Sequence, residues 1–240
     1  MPGSWRTPAA PVEPLLAPSG AWTDISLTLP VFVLYHLGVI FLPVRNAADV
    51  VTQELVALAH QSRPGYIGLT LGVGIFILAI LLALGRRQVF RWQSFAALSV
   101  EGLLYAVAMR MVAAAVVGRL YLGVGIQQRF AGLVMSLGAG LYEEVAFRVL
   151  LFGVGLRCWR VLFGPLPAYK SFLLGVGWAC ASALSFSAWH HLGTFAEDFD
   201  GRVFLFRTVC GLVFTLIYAT RGFAPVVWTH ILYDLWVLQS

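Results

Sequence analysis

Leu71-Gly-Val-Gly-Ile-Phe-Ile-Leu-Ala-Ile-Leu-Leu-Ala-Leu84 carries neither a charge nor a polar side chain. With its flanks it makes an apolar run over 66–85, the ~20 residues that a helix needs to cross a bilayer. Further runs of this kind lie on both sides. The sequence predicts spans near 26–44, 66–85, 94–117, 130–156, 172–192, 203–220 and 223–239. Only Arg221 and Gly222 separate the last two, which therefore read as a tight helical hairpin. Composition agrees with a membrane protein. Of 240 residues, 60% are hydrophobic and 11% charged, against roughly 45–50% and about 25% in soluble domains. That much apolar surface has no refuge in a soluble fold of this size. The same figures exclude a disordered chain, a coiled coil and a disulfide-stapled secreted domain. The fold class is all-α, a polytopic membrane helix bundle of about seven transmembrane helices.

Three segments follow. Residues 1–24 contain Pro2, Pro8, Pro11, Pro14 and Pro18 and read as a flexible extramembrane tail. Residues 25–128 read as N-terminal transmembrane helices, and 129–240 as a C-terminal helix bundle. The stretch 47–61, with Asp49, Glu54 and His60 among apolar residues, is expected to be an interfacial amphipathic helix. No internal repeat is evident, which argues against an inverted-repeat transporter. The net charge of +5 lies mostly between apolar segments, where it sets orientation. No nucleic-acid recognition motif accompanies it. Counting Arg and Lys in the loops favours a cytoplasmic N-terminus. Arg6, Arg86, Arg87, Arg91, Arg157, Arg160, Lys170 and Arg221 then lie inside, and Arg45, Arg63, Arg119, Arg129 and Arg202 outside. Cys158, Cys180 and Cys210 form no C-x-x-C pair, so neither a disulfide framework nor a thiolate metal site is expected. The N-terminus has no early apolar core, so the first span is expected to serve as insertion signal.

Ionisable groups inside spans cost roughly 2.5–3.5 kcal/mol each on insertion scales. They cluster here. Glu143-Glu144-Val-Ala-Phe-Arg148 places Glu144 and Arg148 four apart, the spacing of an ion pair on one helix. Glu143 is rotated by about 100° from Glu144 and is left as a free carboxylate, the kind of group that serves as general base. Phe186 and His190 share a face near the end of the fifth span, and His191 is turned away. Small residues precede His190, from Gly175 to Ser185, and Gly132, Gly138 and Gly140 lie on the fourth span. Close approach of these two small faces would bring His190 toward Glu143. His230 and Asp234 are again four apart, so the carboxylate can hold the imidazole. For Glu101, Arg110 and Arg207 the expectation is pairing or snorkelling at helix ends.

The three motifs, Glu143-Glu144-x-x-x-Arg148, Phe186-x-x-x-His190 and His230-x-x-x-Asp234, resemble those of the CPBP family of intramembrane proteases. That family includes the type II CAAX prenyl endopeptidases and bacteriocin-processing relatives. The resemblance covers about residues 130–239. It implies a glutamic intramembrane endopeptidase with no cofactor and no metal. In that family's scheme Glu143 and His190 activate water, and His230 with Asp234 stabilises the oxyanion. Glu144 and Arg148 shape the site electrostatically, and Phe186 packs beside His190. Position 234 is often Asn in the family, and an ionised Asp cannot donate a hydrogen bond to an oxyanion. Asp234 therefore acts either protonated or through His230, and Asp234→Asn is expected to retain activity.

The implied partners are membrane lipid and a membrane-associated protein or peptide substrate: a prenylated protein, a leader peptide or a C-terminal sorting tail. The Arg- and Ala-rich composition is similar to that of GC-rich bacterial proteins, so the expected location is a bacterial inner membrane. Three other functions compete. A metal-dependent membrane protease could use Glu143 or Glu144 with His190, His230 and Asp234 as mixed ligands, although H-E-x-x-H is absent. A non-catalytic immunity or scaffold protein could keep the same fold. A proton-coupled transporter could relay protons through Glu101, Glu143, Glu144 and Asp234.

Overall fold

The computed structural model describes residues 20–42, 45–84, 92–117, 129–192 and 196–239. Most of the expected tail, residues 1–19, and the loop arginines Arg86, Arg87, Arg91 and Arg119 lie outside them. The described residues are helical throughout their regular structure. In hydrocarbon every backbone N–H and C=O needs an internal partner, and a helix supplies one within its own segment. The helices are α1 (Ala21–Gly38), α2 (Val51–Leu58), α3 (Arg63–Leu84), α4 (Trp92–Val117), α5 (Arg129–Gly138), α6 (Gly155–Phe163), α7 (Ala168–Trp189), α8 (Gly201–Arg221) and α9 (Phe223–Gln239). Among the described residues, five stretches are long and apolar enough to cross a membrane: Ala21–Phe41, Arg63–Ala83, Phe95–Val112, Ala168–Trp189 and Gly201–Arg221. The expected spans 130–156 and 223–239 are not among these five, although both are helical. They are the two that carry Glu143, Glu144, Arg148, His230 and Asp234. The protein is an integral membrane protein.

Between α5 and α6 the helix does not stop. Ala139–Glu143 and Val145–Val154 wind as π-helix, so one rod runs from Arg129 to Phe163. A π-turn holds more residues than an α-turn and shifts the register of everything after it. Residues 136–144 of this rod are all buried, which requires neighbours on every side. α1 and α9 supply them, and two glycines set the distance. A Cβ on Gly138 would collide with the Tyr35 ring, and one on Gly140 with the Ile231 side chain and, at 2.9 Å, the Val227 carbonyl.

α9 is the central helix, packed against α1, α4, α5 and α8. The α8–α9 hairpin forms as the sequence predicts. Gly222 turns the chain at φ 104°, a backbone that side chains disfavour and glycine accepts. Pro225 falls in the first turn of α9, where its missing N–H costs nothing. Asp200 begins α8 by accepting from the N–H groups of Arg202 at 2.7 Å and Val203 at 3.4 Å, an N-cap.

Three details differ from the sequence reading. α1 begins at Ala21, within the expected tail, and Asp24 is buried there because its carboxylate accepts the Phe223 N–H at 2.9 Å. Of the stretch 47–61, only α2 is helical. Asp49 precedes it and is buried, while Glu54 is exposed. The small faces also pack elsewhere. Gly138 and Gly140 meet α1 and α9, and Gly175 and Gly177 of α7 have nothing within 4 Å. α7 does approach the rod through another of its small residues, Ser182, whose hydroxyl donates to the Phe147 carbonyl at 2.7 Å, and through Trp178, which donates to the Leu151 carbonyl at 2.6 Å.

Candidate active site

Two apolar clusters flank the middle of the rod. One gathers Tyr35, Val134, Leu141, Tyr142 and Ile231; the other gathers Phe147, Phe186, Cys210, Phe214 and Tyr233. Glu143 and Glu144 lie between them, so both carboxylates are buried by their neighbours' packing. They point to different partners, as their angular separation predicts.

Glu144 is fully buried and faces His230 and Arg148. Its Oε1 lies 2.7 Å from His230 Nδ1, and its Oε2 lies 3.2 Å from Arg148 Nε. The Arg148 contact is an ion pair without hydrogen-bond alignment: among the described residues, Glu144 Oε2 and Arg148 Nε both lack a hydrogen-bond partner. Arg148, also 0% exposed, donates through Nη2 to the Gly211 carbonyl at 3.3 Å. Its guanidinium lies 4.4 Å from the Phe186 ring centre and 5.2 Å from that of Phe214. Two aromatic faces thus take the place of the water that a free arginine would hold.

Glu143 faces both histidines. Its Oε2 is 3.9 Å from His190 Nε2 and 4.0 Å from His230 Nε2. His190 Nδ1 lies 3.0 Å from the Phe186 carbonyl, which can only accept. Nδ1 therefore carries the hydrogen, and in the neutral ring Nε2 presents its lone pair toward Glu143. The ring stands edge-on to Phe186 at 5.2 Å, and the His230 ring stacks on Phe214 at 4.4 Å. Phe186 therefore touches His190, His230 and Arg148 together. His191 points away, with Nδ1 against the Glu197 carbonyl at 3.1 Å.

Asp234 Oδ2 is 3.5 Å from His230 Nε2, and the side chain is 27% exposed. The sequence pattern assigned the holding of His230 to this carboxylate. Glu144 occupies that place at Nδ1, and Asp234 stands on the opposite, open side of the ring. The pairings left open in the sequence also resolve. Arg221 Nε donates to Glu101 at 2.6 Å, Arg207 makes two 2.8 Å bonds to Glu197, and Arg110 lies 5.2 Å from the Trp236 ring centre.

Sequence reasoning missed one group entirely. Asn46 Nδ2 donates to Glu143 Oε1 at 2.7 Å, from a loop 97 residues away. A lone Asn at the end of an apolar run carries no pattern that would single it out. Beside it, His36 is fully buried between Tyr66 at 2.7 Å and Tyr142 at 2.6 Å. Among the described residues, no group of three His, Cys, Asp or Glu side chains is placed to hold a metal ion.

Residues 125–236 match the model of a protein family described as type II CAAX prenyl endopeptidase Rce1-like. All three motifs lie within the matched range, and Asn46 lies outside it. The match accords with the resemblance to CPBP, a family of membrane proteases. No curated protein and no solved structure matches the chain.

Proposed function

We propose, from the premise that residues 125–236 belong to the Rce1-like family of membrane proteases, that this protein is a glutamic intramembrane endopeptidase. Its substrate is a membrane-associated protein or peptide cut near its terminus. The single observation that carries the reading is the position of Glu143 Oε2, buried and facing the Nε2 atoms of two histidines at 3.9 and 4.0 Å. A water about 2.8 Å from both Glu143 Oε2 and His190 Nε2 would meet them at an angle of about 90°, an ordinary geometry for an oxygen with two acceptors.

The chemistry runs as follows. Water attacks the scissile carbonyl carbon while Glu143 takes one of its protons, a general-base step. The developing oxyanion is met by His230 Nε2–H. That donor exists only when the ring carries protons on both nitrogens, since Nδ1 already serves Glu144. Glu144, Asp234 and Glu143 surround the ring and supply the counter-charge this form requires. A preorganised charged donor in a dry site is worth more than the same donor in water. Collapse of the tetrahedral intermediate breaks the C–N bond, and the proton held by Glu143 passes to the leaving amine. The new C-terminal carboxylate and the new amine are the products. Asp234 acts on His230 and not on the substrate.

The test is a panel of three peptides in vesicles: one farnesylated with a CAAX end, one leader peptide, and one apolar C-terminal tail. Mass spectrometry reads the products of the wild type and of Glu143→Gln. Cleavage of any peptide by the wild type, lost by 1,000-fold or more in Glu143→Gln, supports the reading and selects the substrate class. Equal cleavage by both proteins refutes the role of Glu143.

A further inference from the structure

We infer that Asn46 is a positioning residue of this site: it fixes the Glu143 carboxylate through Oε1 and so leaves Oε2 as the oxygen that faces His190 and His230. The inference rests on the reading of Glu143 as the base and extends the site beyond the family-matched segment.

The bond itself is well defined. Asn46 Oδ1 accepts the Ala48 N–H at 2.8 Å, and an N–H cannot accept. The amide is therefore oriented, and Nδ2 is the atom 2.7 Å from Glu143 Oε1. Asn46 is itself 7% exposed and Glu143 6%, so little water competes for the pair. The torsion that swings a carboxylate is soft and two-fold. With no donor, the two oxygens of Glu143 would exchange and wander; a charge-assisted bond to one of them removes that freedom.

The loop that carries Asn46 is anchored to the rod beside Glu143. The Asn46 N–H donates to the Tyr35 hydroxyl at 3.2 Å, and that hydroxyl donates to Asp49 Oδ2 at 2.8 Å. The Asp49 N–H returns to the Asn46 carbonyl at 3.1 Å, and Asp49 Oδ1 accepts the Thr52 N–H at 2.9 Å, at the start of α2. Tyr35 is fully buried, and its ring lies against Gly138, in the space a Cβ would fill. Gly138, Tyr35 and Asn46 thus form a continuous path from the rod back to Glu143. Base catalysis depends on placement to a fraction of an ångström, and this path gives the placement a physical source.

The experiment measures kcat and KM on whichever peptide of the panel the wild type cleaves, for Asn46→Ala and Asn46→Asp. Loss of a hydrogen bond to a charged group predicts a fall in kcat of about 10- to 100-fold, with KM within about twofold because substrate binding is not touched. The Asp variant separates positioning from packing. It has the shape of Asn and keeps the acceptor for the Ala48 N–H, so a structural role predicts that it rescues activity. Positioning predicts that it falls at least as far as Ala, because it sets a second carboxylate against Oε1. Asn46→Asp within threefold of the wild type overturns the inference. A second measurement needs no substrate. In purified protein, Asn46→Ala is expected to lower Tm less than half as much in a Glu143→Leu background as in the wild type. Equal drops in both backgrounds overturn the inference and leave the role of Glu143 standing. Glu143→Gln that still cleaves removes the underlying reading, whatever the Asn46 variants do.

Discussion

Arg148→Ala separates what holds the site together from what does its chemistry. The substitution leaves Glu144, which is fully buried, without its 3.2 Å counter-charge. Breaking one partner of a buried pair costs about 3–5 kcal/mol, because the remaining charge cannot reach water. The guanidinium contact with the Phe186 face, at 4.4 Å, adds about 1 kcal/mol when desolvated. Against a typical stability of about 5–15 kcal/mol, a loss of about 4 is a factor of about 1,000 in the folding equilibrium. A paired variant completes the argument. Glu144→Gln with Arg148→Met removes both charges and keeps the volume, and is expected to lie within about 1.5 kcal/mol of the wild type. Its activity should still fall, because His230 loses the carboxylate at Nδ1. The assay is reversible unfolding in mixed micelles followed by helical circular dichroism, beside the peptide cleavage rate. A loss below about 1 kcal/mol for Arg148→Ala would refute the reasoning, as would a paired variant no more stable than the single one.

Asp234→Asn should keep cleavage within about tenfold of the wild type, since Glu144 and not Asp234 holds the His230 ring; loss below detection in the peptide assay would contradict this. Gly140→Ala should lower stability by about 1–3 kcal/mol through overpacking against Ile231 and Val227, while Gly175→Ala, with nothing within 4 Å, should not. Thermal melts of the two variants check the contrast, and equal behaviour sinks it. A strong zinc chelator should leave the cleavage rate unchanged; inhibition that added zinc reverses would instead favour the metal-dependent reading.

Much of the site is local and was therefore legible. Glu144–Arg148, Phe186–His190 and His230–Asp234 are each four residues apart, and helical periodicity alone puts each pair on one face. The long-range contacts were not legible. Glu144 meets His230 across 86 residues and Asn46 meets Glu143 across 97, and no periodicity reports such distances. The small residues illustrate the same limit. Their presence predicts close helix packing, but not that Gly140 faces α9 or that Gly175 faces open space. The apolar runs located the helices well, and the π-helical winding of the rod left no trace in them. The burial of 136–144 depends on where α1 and α9 lie, which no local pattern reports.

The central claim is that Glu143 makes this protein a protease in its own membrane. Its most direct test compares the termini of membrane proteins in cells expressing either the wild type or Glu143→Gln at equal levels. The account predicts a set of new termini present only with the wild type, flanking an apolar or lipidated segment. Identical termini in the two strains, with both proteins accumulating equally, would contradict it and favour a non-catalytic role for the same fold.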